Sequence, residues 1–123
     1  MEQLISVKPE FEISLDKSKQ SRAETFDEFF LQAVDEAFLI LGEQNKQLIY
    51  NYLEKSYGIS RETIPINMQQ FGWAIEAVFG EPARLIEIEI MRALHRKVPS
   101  FIYDASEDTL SFVGYVLALR VFL

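Results

Sequence analysis

The chain has 123 residues, the size of one ordinary domain, and its 49% hydrophobic content is too high for wholesale disorder. It has no cysteine and one histidine, His95, which excludes disulfide frameworks, thiolate metal sites and thiol catalysis. Nineteen acidic against twelve basic residues give a net charge of −7, so the broad basic field behind generic nucleic-acid binding is missing.

Met1 is followed by Glu2, and the apolar run 4–7 is too short for the core of a secretory signal. The most apolar stretch, 109–123, reaches about 22 Å as a helix, short of the roughly 30 Å core of a bilayer. These features predict a soluble, cytoplasmic chain with no membrane span, no metal and no cofactor.

Residues 1–24 read as an N-terminal arm. Phe11, Ile13 and Leu15 alternate weakly with Glu10, Glu12, Ser14 and Asp16; an extended segment able to pair with a partner is weighed and set below an ordered but incidental tail, and 16–22 is a polar linker. Thr25 and Glu28 fit a capping box. Apolar residues at 26, 29, 30, 33, 34, 37, 38 and 41 then give the helical repeat, with Gly42 as its stop. A second helix over 43–57 places Leu48, Ile49, Tyr52 and Leu53 on its inner face, and Gly58 ends it. Pro65 turns Ile64 extended and breaks any helix over 59–66. Asn67, with Gln70 three residues on, caps a third helix running to Phe79, with Phe71, Ile75, Val78 and Phe79 inward.

Pro82 opens a fourth helix, in which strand-like alternation over 84–90 yields to strong helix formers and to a basic end, His95–Arg96–Lys97. After a loop over 99–105, a last helix starts at Asp104 or Ser106 and runs to 123. It is apolar on almost every side. The prediction is an all-α fold: a five-helix compact bundle with short glycine corners, a single domain over 25–123, and an extended arm.

The segments AVDEAFLILGEQNKQLIYNYLEKSYGI, IP, FGWAIEAVFG and ARLIEIEIMRALHRK, within residues 26–98, resemble a small archaeal helical domain of the Nitrosopumilus output domain type. The resemblance rests on helix pattern and glycine positions and implies a place in archaeal signalling or regulation. It carries no catalytic residues. The arm and the last helix lie outside it.

No nucleophile, metal-ligand spacing or phosphate-cradling loop emerges from the sequence, so no enzyme is expected. The pair Glu87 and His95, eight residues apart, is weighed as an acid–base couple and set below a solvated helix-end histidine. Arg84, Arg92, His95 and Arg96 form a basic stripe, whose use on phosphate or an acidic partner is weighed and set below a solvated face interleaved with Glu87 and Glu89. Asp27, Glu28, Asp35 and Glu36 form an acidic face on the first helix. Trp73 and Ala77 lie off the inner stripe of the third helix, with Gly72 permitting close approach. With Leu110, Val113, Leu117, Val121 and Phe122 they make a candidate interface. This surplus of apolar helix surface predicts a non-enzymatic regulatory or protein-interaction module that self-associates as a homodimer or meets a protein partner. The alternatives are a nucleic-acid-binding regulator acting through the arginine stripe, and a small-molecule sensor with a pocket lined by Phe29, Phe38, Phe71 and Tyr52. Tyr50, Tyr52 and Tyr57 read as a core edge rather than as a base-stacking cluster.

Overall fold

A computed structural model of the chain describes residues 24–103 and 111–123. Five α-helices and one 3₁₀ turn make up an all-α bundle: α1 (24–39), α2 (Glu43–Tyr57), the 3₁₀ turn Arg61–Ile66, α3 (Met68–Phe79), α4 (Ala83–Lys97) and α5 (Phe112–Phe122). The proposed arm, and Leu110 of the candidate interface, lie outside the described residues.

Glycine makes the corners. Gly42 takes φ 103° between α1 and α2, a conformation closed to most side chains. Gly58 ends α2 at φ 67°, ψ 22°, so that its own N–H and that of Ile59 return to the carbonyls of Glu54 and Leu53.

Several local expectations are corrected. Residue 24 is already helical, so Thr25 lies inside α1 and not at its cap. Residues 61–66 are not fully extended. A short 3₁₀ turn accommodates Pro65 because its bonds use the N–H groups of Thr63 and Asn67 and need none from the proline. Asn67 does precede α3, but its side-chain amide turns back to the Thr63 carbonyl and not into a capping box. The last helix begins at Phe112: Ser111 is extended (φ −106°, ψ 125°) and its hydroxyl accepts from the Gly114 N–H. A helix continuous from 106 is therefore excluded.

The core is built on α1. Phe26, Phe30, Ala33, Val34, Ala37 and Phe38 are all buried along one side of it. Phe30 meets Phe71 edge-on at 6.2 Å between centroids and Phe112 at 6.4 Å, while Phe38 meets Tyr50 at 5.2 Å and Phe71 at 6.5 Å. Rings from α1, α2, α3 and α5 thus interlock, and α3, α4 and α5 pack on one another around them.

On α2 the inward set is Ile49, Tyr50 and Leu53, whereas Leu48 and Tyr52 are exposed, a rotation from the expected face. Tyr50 goes in because its ring covers Phe38 and its hydroxyl finds Asp35. On α5 the inward set is Phe112, Tyr115, Val116 and Leu119.

Deleting the ring at the centre is expected to cost most. Phe30→Ala should lower unfolding free energy by about 3–5 kcal/mol, whereas Leu48→Ala on the exposed side should change it by less than about 0.5 kcal/mol, both measured by urea titration.

Candidate functional site

Two grooves flank α4. The first, of about 500 Å³, lies between α4 and the segment leaving it, with a floor of Ile88, Met91, Phe101, Tyr103 and Tyr115 and a rim of Arg92, His95, Arg96 and Ile102. Its aromatic part is knitted together: the Tyr115 ring packs edge-on against Phe101 and Tyr103 at 5.4 and 5.6 Å. Burial pushes the Tyr115 hydroxyl above its ordinary pKa. Ile102 is 84% exposed on the rim. The sequence pattern marks 99–105 only as a loop. Three consecutive bulky residues, Phe101–Ile102–Tyr103, were the available signal.

The second groove, of about 450 Å³, runs between α3 and α5 and is lined by Gly72, Trp73, Val113, Gly114 and Leu117, with Gln69, Glu76, Arg84 and Glu87 around it. Trp73 is 61% exposed, Leu117 44% and Val121 86%, while Phe122 and Ala77 are exposed and Val113 is half-buried. The interface candidates that fall within the described residues are therefore on the surface. Gly72, however, is not forced by contact. A Cβ there would meet Val113 Cγ2 at 3.5 Å, ordinary van der Waals distance.

The basic stripe divides. Eight residues at 100° each leave Arg84 about 80° away from Arg92 around the helix. Arg84 accordingly lines the α3–α5 groove, while Arg92, His95 and Arg96 line the other. The same offset separates Glu87 from His95, so the pair weighed as an acid–base couple is not assembled. Burial first, then the neighbouring charge of Glu76, raises the Glu87 pKa, opposed by Arg84.

The acidic face also divides. Arg61 clasps Asp35 with two guanidinium N–H donors at 3.0 and 2.6 Å, and the Tyr50 hydroxyl donates to the same carboxylate. Glu36 pairs with Lys97 on α4 at 3.0 Å. Asp27 lies near Arg120, and burial, partly offset by that charge, raises its pKa. Asp27 and Asp35 are half-buried, whereas Glu28 and Glu36 are exposed. These acids hold the subunit's own elements together and do not present one face.

The pocket proposed for a small-molecule sensor is not formed. Phe38 and Phe71 are fully buried in mutual ring contact, and Tyr52, 51% exposed, faces outward beside Leu41, Leu48, Val78 and Phe79. Of the tyrosines, Tyr50 is core, while Tyr52 and Tyr57 pair edge-on at the surface.

Among the described residues no group of three or more His, Asp or Glu side chains is placed to hold a metal ion, and no helix is long and apolar enough to cross a membrane. No protein-family model, curated protein or solved structure matches the chain.

Two outcomes follow from this geometry. Gly72→Ala should raise stability by about 0.5–1 kcal/mol in thermal or urea unfolding, because it restores helix propensity without a clash. For Asp35, burial raises the carboxyl pKa, but the hydrogen bonds from Arg61 and Tyr50 and the charges of Arg61 and Lys46 outweigh it and hold the group below its ordinary value. Its contribution is therefore complete above the unfolded carboxylate pKa of about 3.9 and is lost as pH falls through the lower folded value. Asp35→Asn should lose about 1 kcal/mol at neutral pH and show a shallower loss of stability below pH of about 4 in a urea series across pH.

Proposed function

We propose that the chain is a non-enzymatic, regulatory protein-interaction module that self-associates as a homodimer through the face shared by α3 and α5. The observation that carries this reading is the exposure of Trp73 beside Leu117, on two neighbouring helices that flank one groove. Trp73 and Ala77 lie one turn apart on α3, and Val113, Leu117 and Val121 follow at single-turn steps along α5. Paired apolar stripes of this kind exceed the scattered exposed residues of an ordinary monomer surface, and tryptophan is the residue type most enriched at the centres of interfaces.

The surround suits self-pairing. A two-fold interface sets a patch against its own copy, so a rim of one sign repels itself. Here the rim carries Glu76 and Glu87 together with Arg84. The setting suggested by the likeness to the Nitrosopumilus output domain is archaeal signalling or regulation, in the cytoplasm.

The test is light scattering across concentration. The chain is expected at twice its 14.3 kDa mass. Leu117→Asp should weaken association about thirtyfold or more while leaving the far-ultraviolet circular dichroism of the folded chain unchanged, since Leu117 is already partly in water. A wild-type chain that stays at monomer mass at every concentration refutes the reading.

A further inference from the structure

The groove on the other side of α4 does not take part in that association, and its chemistry is specific. Its floor is apolar and aromatic, and its rim is cationic in a chain of net charge −7. Arg92 pairs with Glu89 at 3.0 Å, but among the described residues His95 and Arg96 have no ion-pair partner. Arg92 and Arg96 are one helical turn apart, a rise of about 6 Å. Alternate side chains of an extended peptide are about 6.7 Å apart and project to opposite sides in turn. The site therefore fits an extended segment with bulky apolar residues on one side and acids, at every second position, on the other.

The chain itself contains such a segment: Glu10, Glu12 and Asp16 alternate with Phe11, Ile13 and Leu15. It is also within reach. At the start of α1 the Arg120 guanidinium lies 4.7 Å from the centroid of the Phe26 ring, and two residues on from Arg120 the Phe122 ring lies 5.1 Å from Phe101, which lines the groove. The start of α1 and the groove are thus separated by the end of α5, about 10–12 Å across. The seven residues 17–23 can span about 23–25 Å.

We propose that residues 10–16 bind this groove within their own chain, with Phe11, Ile13 and Leu15 on the aromatic floor and the acids against Arg92 and Arg96. The long arginine stems let the guanidiniums reach over the segment to its outward, acidic side. The surface is then a receptor for extended acidic–apolar peptides, with this one as resident.

Because the chain has no cysteine, introduced thiols are the only ones present. In the full chain, Ile13→Cys with Ile102→Cys is compared in dilute solution with Ile13→Cys and Leu48→Cys, which places the second thiol on the exposed side of α2 beside a different groove. Both partner positions are exposed, so the fold should be retained, and circular dichroism checks this. The expected result is an intramolecular disulfide forming at least tenfold faster for 13–102 than for 13–48. In the 13–102 pair, Glu12→Lys with Asp16→Lys should abolish that advantage, and adding Arg92→Glu with Arg96→Glu should restore it. Equal rates for the two pairs, a disulfide formed only between chains, or an advantage indifferent to charge reversal overturns the proposal.

Discussion

Phe26, Phe30 and Phe38 stand along one side of α1, and the helix that bears them makes contact with every other element of the bundle. Its rings meet Tyr50 of α2, Phe71 of α3 and Phe112 of α5, and its acids reach Arg61 in the 3₁₀ turn and Lys97 of α4. Edge-on and tilted ring pairs have preferred geometries, so this interior fixes orientation as well as supplying buried area. Once the rings of α1 are covered, α3 and α5 can each turn only one side inward. Their other sides, with Trp73 on one and Leu117 and Val121 on the other, are left at the surface.

Charge follows the same arrangement. An acidic chain would be expected to crowd its carboxylates outward, yet two of the five acids on α1, Asp35 and Glu36, bind cations of other elements. The Asp35 carboxylate takes both Arg61 and Tyr50, which joins α1, α2 and the 3₁₀ turn at one point. Arg120 does similar work at the other end of α1: its guanidinium donates to the Pro65 carbonyl and lies over the Phe26 ring. With these contacts made inside the subunit, the cations that remain over an apolar floor are those at the end of α4. The two grooves therefore differ in kind, one of mixed charge around a tryptophan and one cationic around aromatics.

The fold class and the helix order were legible because α1 to α3 have helical periodicity, α4 has strong helix formers and a basic end despite its alternation over 84–90, and glycine or proline stands at their ends. The face of α2 was harder to read. Leu48 and Tyr52 are as apolar as Ile49 and Tyr50, and only the distant Asp35 decides which tyrosine goes inward. The start of α5 was hidden for the opposite reason. A segment apolar on all sides has no phase to read, so nothing in the pattern separates a start at 106 from one at 112. At the sites, the exposed stripes of α3 and α5 could be foreseen from surplus hydrophobicity. The split of the arginines could not be seen by counting residues without multiplying by the helical angle. The aromatic floor under Arg92 and Arg96 needs Phe101 and Tyr115 brought together from different elements, which no local pattern encodes.

Trp73 is the chain's single tryptophan, and it sits outside the buried interior of phenylalanine and aliphatic side chains. Its emission therefore reads the α3 surface more than the packing of that interior. It responds to whatever dries the indole on the α3 surface. The molecule separates two signals that are usually mixed: fluorescence reports what the surface meets, and the far-ultraviolet helical signal reports whether the bundle is intact.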